Sequence, residues 1–470
     1  MMTLFFPRPC AVLTCLAGCL WLGLPAGALA DSLDFHAALA QMHERSDQRA
    51  ASRHAVRSAE LRREAIEGLG GPSVHLSGTG YAYSATLNLD LDALQRAQAG
   101  LAAQLPPLPG GAAVPLPQLP DRYTLQRSNA KATALVAAVW PVYAGGASDA
   151  ARGLLGAQTR EAQADDLQTA SDLAVQLVQR YFGAQLAERA AALHAQALHT
   201  LTEHDRAAQK MLDAGVIARV ERLQARAAWE DARRQAQAAR DDADLAATAL
   251  ARTVRADAPV QPSSPLFVYS GPLQPLAYFL NAALQSHPGL DKVAAQKTQA
   301  EQLHAAQEAA RRPQVLAFGQ RRLHSGPADW VAGVTVRWTL WDAIDRNALA
   351  AASLQKVAQA ERTDAQARSN VALLVEKNWL ATEQARRQYF AQQASADLAD
   401  EVLRLRQAGL REGTSTTLDL IDAQVNHTKV QTERAQTAHA YVQALAALLA
   451  SCGLSEQFGQ YMAQADVKVQ

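Results

Sequence analysis

The sequence has few of the residues that build a compact mixed core. Of its 470 residues only 6% are aromatic and 26 are glycine, whereas alanine is abundant along the chain. Such a composition favours long helices over a mixed globular core. Charge of one sign is not in excess either, because 45 basic and 45 acidic residues give a formal net charge of zero. This balance gives no sign of nucleic-acid binding.

Cysteine is nearly absent, and three of the four cysteines fall in residues 1–30. That segment has the pattern of an export signal peptide, with Arg8, an apolar run, and Ala28-Leu29-Ala30 before Asp31. Its removal would leave Cys452 alone, so the mature chain could form no internal disulfide. A lipoprotein cleavage box that ends in Cys19 is the alternative, and lipidation of this cysteine stays open.

Long apolar runs and enzyme motifs are missing after Asp31. No stretch supplies the roughly 20 consecutive apolar residues of a membrane-spanning helix, so membrane insertion would have to use strands. The sequence contains no HExxH motif, nucleotide-binding loop or nucleophile elbow. His194, His199 and His204 recur at a spacing that scatters them around a helix, as surface or interface residues. We predict no catalytic, cofactor or metal site.

The chain does contain an internal duplication. Residues 413–423 repeat the pattern of residues 215–225, and the same offset of 198 carries Trp140 onto Trp338. In both copies a glycine is expected to end one helix with a positive φ, and an acidic residue six positions later opens the next helix. The predicted tip turns contain Gly215, Gly413 and Thr414, and the acidic residues are Glu221 and Asp419.

Two repeats of the same order are therefore predicted. Each has a first helix, a strand pair, a long uninterrupted helix, a glycine turn and a returning helix. The first repeat spans 31–258, with strand pair 72–143 and helices 145–254, and the second spans 276–453, with strand pair 314–341 and helices 343–452. A proline-rich linker, 259–275, joins them, and a tail without recognisable pattern follows at 454–470. Six prolines in loop 84–126 predict an irregular connection.

The predicted strands alternate between apolar and polar residues. Val334, Val336 and Trp338 point one way, whereas Thr335 and Arg337 point the other. Strands of this length that end in aromatic residues suit an outer membrane barrel. The expected membrane-interface aromatics are Tyr81, Tyr83, Trp140, Trp338 and Trp341. An amphipathic hairpin covered by helices is the alternative.

The order of elements and the motif from Gly413 through Asp419 and Asp422 resemble the TolC family of outer membrane channels. The resemblance implies a mainly α fold with a small β part, in which a trimeric 12-stranded β-barrel continues into a periplasmic α-helical barrel. Four strands per chain cannot close a barrel alone, which independently favours an oligomer. The implied partners are outer membrane lipid, a periplasmic adaptor and an inner-membrane ABC or proton-driven pump. No nucleic acid is expected.

The same resemblance places a constriction at the periplasmic tip, with acidic rings at Asp419 and Asp422. Leu410 and Ser415 stand where a tyrosine and an arginine help to close a well-known member, so Arg219 and Glu221 are the candidates to replace them. Alternatively, Asp419 only caps a helix and Asp422 is solvated. The expected function is the exit duct of a tripartite export system, for type I protein (toxin) secretion or small-molecule efflux, and the sequence leans slightly toward secretion. A periplasmic coiled-coil adaptor without a pore is the alternative.

Overall fold

The computed structural model describes residues 32–102, 117, 120–323, 327, 329–341 and 343–469. The predicted signal peptide, the Cys19 box and the proline-rich centre of loop 84–126 lie outside these ranges. The chain forms two compact units. The helical unit comprises residues 1–56, 162–292 and 365–470, and the strand unit comprises residues 57–161 and 293–364.

The described residues of the first half form two strands of the main sheet and five helices. Its elements are, in order, β1 (Ser32–Leu33), α1 (Phe35–Arg45), α2 (Asp47–Ala65), β2 (Ser73–Asp90), α3 (Asp92–Ala102), β3 (Arg122–Tyr143), α4 (Ala147–Asp213) and α5 (Arg219–Val254). At 1.5 Å per residue, α4 is about 100 Å long. None of the described helices has both the length and the apolarity needed to cross a membrane.

The second half repeats this order with different breaks. Its elements are β4 (Gln261–Pro262), β5 (Leu266–Val268), α6 (Leu276–Ser286), α7 (Pro288–Ala309), β6 (Gln314–Leu323), β7 (Trp330–Arg337), α8 (Arg346–Ala391), α9 (Gln393–Glu412), α10 (Thr417–Ser451), a 3-10 turn (Ser455–Gln457), α11 (Phe458–Gln464) and β8 (Val467–Val469).

Three helices predicted as continuous are divided. Ser46 separates α1 from α2 in an extended conformation. His287 separates α6 from α7, because a residue before proline disfavours helical angles and Pro288 suits the first position of a new helix. The division at Gln392 is slight, since its N–H still donates to the Gln388 carbonyl and its carbonyl still accepts from Ala396.

The strand unit is built on one antiparallel sheet in the order β2-β3-β6-β7. β2 and β3 pair without interruption from Ser73↔Val139 to Asp90↔Arg122, and α3 follows β2. The prediction of an irregular loop over 84–126 is therefore wrong at both ends, because its prolines all lie at or beyond position 106 and leave the flanks free to pair. β7 ends at Arg337, so Trp338 and Trp341 lie beyond the strand.

The predicted linker and tail belong to the core of the helical unit. β5 is fully buried and pairs antiparallel with β8, and β4 pairs in parallel with β1. The apolar run of β5 is too short to stand out among prolines, and the Val-Lys-Val of β8 is too short to show a strand pattern, so neither strand could be predicted from the sequence. An aromatic cluster joins these strands to the helices and contains Phe35, Tyr181, Phe182, Phe267 and Phe458. Tyr181 fixes the strand ends, because its hydroxyl donates to the Leu33 carbonyl at 2.7 Å and accepts from the Ser264 N–H at 2.8 Å.

The two glycine turns as candidate functional site

Both glycine turns end a long helix with the same pair of backbone hydrogen bonds. Gly215 and Gly413 have φ values of 73° and 76°. In the first turn, Val216 N–H donates to the Met211 carbonyl at 2.8 Å and Gly215 N–H donates to the Leu212 carbonyl at 2.9 Å. The second turn repeats this arrangement 198 residues later, with Thr414 N–H donating to Gly409 at 2.7 Å and Gly413 N–H to Leu410 at 3.4 Å. Each is a Schellman motif, in which glycine tolerates the left-handed position.

The helices that leave the turns begin differently. Thr416 is the N-cap of α10 and forms a capping box with Asp419. Thr416 N–H donates to Asp419 Oδ2 at 3.0 Å, and Asp419 N–H donates to Thr416 Oγ1 at 3.2 Å. The Thr416 hydroxyl also donates to Asp419 Oδ2 at 2.8 Å. The hydrogen bonds that the carboxyl accepts from the Thr416 N–H and from this hydroxyl lower the pKa of Asp419, the backbone bond most, and Arg406 at 3.7 Å adds to the effect. The equivalent N-cap of α5 is Ala218, which has no side-chain cap.

Below the first turn an ion pair joins the two helices of the first hairpin. Arg222 Nη1 lies 2.6 Å from Asp205 Oδ1, with side chains only 15% and 12% exposed. Arg222 Nε also donates to Gln209 Oε1 at 2.7 Å, and Arg226 approaches Asp205 at 3.5 Å. The corresponding positions of the second hairpin are Leu403 and Leu420, which pack together with Ala423. The duplication has thus kept the contact and exchanged a charged pair for an apolar one.

Farther from the glycines, by one helical turn on the first helix and two on the second, another pair of contacts also differs between the hairpins. Trp229 Nε1 donates to Thr202 Oγ1 at 3.0 Å in the first hairpin, whereas His427 Nε2 lies 2.8 Å from Asp400 Oδ1 in the second. Gln431 donates to the same Asp400 oxygen at 2.8 Å. The sequence reasoning missed both pairs, although comparing residues at the offset of 198 would have aligned them.

The three histidines of α4 do not share one environment. His199 is exposed and His194 is half-buried, but His204 is only 4% exposed and neither ring nitrogen has a hydrogen-bond partner within the described residues. Burial lowers the pKa of His204. The prediction of a surface or interface position is therefore wrong for His204, whose equivalent in the second repeat is the apolar Val402.

Comparison with known proteins agrees with this architecture. Residues 279–454 match the family model described as outer membrane efflux protein. The fold matches CusC (TM-score 0.72, 14% identity, 92% of this chain and 95% of that chain) and the CmeC outer membrane channel of Campylobacter jejuni (0.72, 13%, 92% and 89%). It also matches the MtrE outer membrane channel of Neisseria gonorrhoeae (0.69, 17%, 89% and 88%). No curated protein matches the sequence of this chain.

Residues 279–454 are those of an outer membrane efflux protein, and the chain has the fold of outer membrane channels. These findings agree with the predicted resemblance to the TolC family and confirm the mainly α fold class and the outer membrane location, with a large periplasmic part. They also confirm the function as an export duct and do not favour the adaptor alternative. The family is one of channels and not of enzymes.

The other predicted tip residues do not take part in the capping box. Arg219 and Asp422 are exposed and Glu221 is half-buried. Within the described part of the chain, these three side chains have no ion-pair partner. Leu410 packs against the Leu403 and Leu420 cluster, so its side chain supports the second hairpin.

The predicted interface aromatics occupy several positions in the strand unit. Trp140 and Trp338 each donate an indole N–H to a backbone carbonyl, of Gly70 at 3.0 Å and of Arg311 at 3.2 Å. Trp341 is 88% exposed. Tyr81 and Tyr83 stack on each other with ring centroids 6.4 Å apart. The register places Tyr81 and Tyr83 on the same face as Ser77 and Thr79, so they do not lie on the face of Val74 and Leu76 as lipid-facing aromatics would. A function of the three tryptophans at a membrane interface stays a prediction.

Proposed function

We propose that three copies of this chain form the exit duct of a tripartite efflux machine, joined by a periplasmic adaptor to an inner-membrane ABC or proton-driven pump. The four-stranded sheet carries the proposal. Its order β2-β3-β6-β7 leaves β2 and β7 as edges within the described residues. Four strands cannot close a barrel, whereas three copies would supply twelve.

The two faces of this sheet differ, at the end where β2 begins, as a transmembrane barrel requires. Residues opposite each other in antiparallel strands lie on the same face, so the register assigns every side chain. One face presents Val74, Leu76, Val136, Val334 and Val336, and it would contact lipid. The other presents Ser77, Thr79, Gln320 and Thr335, and it would line the lumen.

The glycine turns leave apolar side chains uncovered on a single chain. Val216, Val220 and Leu223 in the first hairpin, and Leu418 and Val425 in the second, are all between 49% and 67% exposed. Clusters of exposed apolar side chains mark protein interaction sites. We assign them to contacts with the neighbouring copies and with the adaptor.

At the tip, three copies would bring Asp419 and Asp422 toward one axis. Because hydrogen bonds lower the pKa of Asp419, this carboxylate stays charged at neutral pH although it caps a helix. Asp422 has the exposed position and would be the main lining group of the acidic rings. Arg219 and Glu221 would flank them on the other hairpin.

Of the two predicted cargo classes, small-molecule efflux has the better support. The matching family model is described as an efflux protein. Type I secretion of a protein is the second candidate, because the Gly413–Asp422 motif favours it.

The first test is the oligomeric state in detergent, measured by light scattering coupled to size exclusion. We expect a trimer that forms without disulfides, since Cys452 is buried in the described structure. A folded, helical monomer at micromolar concentration would refute the duct. Deletion of the gene together with that of the neighbouring pump, followed by measurement of drug accumulation or of secreted protein, separates the two cargo classes.

A further inference from the structure

The polar face of the sheet carries a row of cations along its length. Arg127 lies opposite Ala85, and Lys131 lies opposite Tyr81. Arg322 lies opposite Leu135, four residues farther along β3. At about 3.3 Å per residue, these three levels are roughly 13 Å apart. Arg337, opposite Gln314, lies on the same face near the start of β6. We call these four residues the basic row.

No carboxylate offsets the basic row on its own face. Among the paired strand residues, the one acidic residue is Asp90, which lies opposite Arg122 on the other face. Arg322 approaches Asp329, just beyond the strands, at 3.7 Å. Arg127, Lys131 and Arg337 are exposed and have no ion-pair partner anywhere in the described ranges.

Such a row lowers the stability of the fold, because like charges on one surface repel one another. In a closed barrel the effect grows, since three copies would place nine unpaired cations around one water-filled space. Low-dielectric walls focus such a field and concentrate counter-ions, and rings of arginine and lysine are how pores select anions.

We propose that the basic row binds and selects anionic small molecules as the cargo of this duct. The inference rests on the proposed function, because the row faces a lumen only if the sheet closes with other copies. It names the class of cargo that the efflux assignment leaves open: solutes that carry carboxylate, sulfonate or phosphate groups. The acidic rings proposed at the tip are a separate element with the opposite preference.

The test uses single channels of the full-length protein in planar bilayers, with inorganic tripolyphosphate as the probe. At low salt, tripolyphosphate should reduce the conductance when it is added on the side of the strand unit, and not when it is added on the other side. The replacement Arg127→Gln, Lys131→Gln, Arg337→Gln should weaken the block about tenfold, the lower end of the effect expected for a focused field. In about 1 M KCl the block should disappear, because the screening length falls to about 3 Å.

Arg321→Gln is the matched control. Arg321 is exposed and adjacent to Arg322, but it lies on the apolar face, opposite Val136. It removes one exposed charge per copy from the other face of the same sheet and should leave the block unchanged. All variants are first checked for trimer formation and helical content.

The outcomes separate the inference from the function. If trimers conduct but tripolyphosphate blocks the triple variant and the wild type equally, the basic row does not select cargo, although the duct stands. If Arg321→Gln weakens the block as much as the triple variant does, the effect comes from overall charge and the inference also fails. If no trimer or conductance is found, the proposed function itself fails, and the inference fails with it.

Discussion

Replacing Asp205 by leucine tests whether the two hairpins carry interchangeable contacts. The change leaves the Arg222 guanidinium, only 15% exposed, without its carboxylate at 2.6 Å. Removing one partner of a buried pair costs about 3–5 kcal/mol. Arg222 keeps the Gln209 amide oxygen and some solvent, so we expect about 2–3 kcal/mol, below that range.

The double replacement Asp205→Leu with Arg222→Leu should restore that loss. It copies Leu403 and Leu420 of the second hairpin, whose packing shows that this backbone accepts two leucines. Replacing a buried ion pair by apolar residues of similar size is often neutral, or stabilising by about 1–4 kcal/mol. The double variant should therefore be at least as stable as the wild type at this position.

Hydrogen exchange followed by mass spectrometry measures the local effect directly. Peptides that cover residues 200–230 report opening of the first hairpin, and peptides that cover residues 398–428 report the second as an internal reference. Arg226→Ala is the control, because its 3.5 Å contact with Asp205 is half-exposed and should contribute about 0–1 kcal/mol. If the single and double leucine variants lose protection equally, the contacts are not interchangeable and the reasoning fails.

Four further predictions concern the two caps, the pH dependence of one of them, the buried thiol and the tip. Thr416→Ala should destabilise the start of α10 by about 1 kcal/mol, because it removes the N-cap, and Ala218→Thr should stabilise the start of α5 by adding one. Hydrogen exchange measures both effects, and a change of the same sign in the two variants would contradict the prediction. Because hydrogen bonds from Thr416 hold the pKa of Asp419 below its ordinary range, the cap should persist as the pH falls through the ordinary range of aspartate and be lost only at lower pH. Loss of protection at the start of α10 already within the ordinary range, after correction for intrinsic exchange rates, would contradict this. Burial raises the pKa of Cys452 to about 11, so a maleimide should label it at pH 7.5 only after unfolding, and rapid labelling of the native trimer would show that the thiol is accessible. Asp419→Asn with Asp422→Asn should weaken the cation preference of the tip and its block by multivalent cations from the periplasmic side in planar bilayers, whereas unchanged selectivity would return both residues to helix capping and solvation.

The sequence was sufficient where the chain follows a strong local rule. Gly215 and Gly413 could be placed because a positive φ after a long helix favours glycine, and the offset of 198 made the second copy check the first. The breaks at Ser46 and His287 were missed because a short interruption leaves the helical spacing of apolar residues almost intact. β5 and β8 were missed for another reason, since each is only three residues long and pairs with a partner about 200 residues away. No local pattern predicts such a pairing.

At the candidate site, too, the sequence predicted which residues matter but not which contacts they make. The acidic residues of the tip were found by their spacing, but the capping role of Asp419 depends on where Thr416 directs its hydroxyl. The Asp205–Arg222 pair needed knowledge of which α4 position faces which α5 position, because seventeen residues and a turn separate the partners.

A formal net charge of zero does not describe the individual surfaces of this chain. Several acidic residues of the helical unit are paired with arginine, as in Asp205–Arg222 and Asp166–Arg49, and these pairs contribute little field beyond their own contacts. The polar face of the sheet has Arg127, Lys131 and Arg337 with no carboxylate among its paired residues. Whole-chain charge therefore cannot indicate what a duct prefers, because a solute passing through meets one face at a time. For a channel made of repeated chains, the useful quantity is the charge of each lining face multiplied by the number of copies. The strand register shows which charged residues belong to each face.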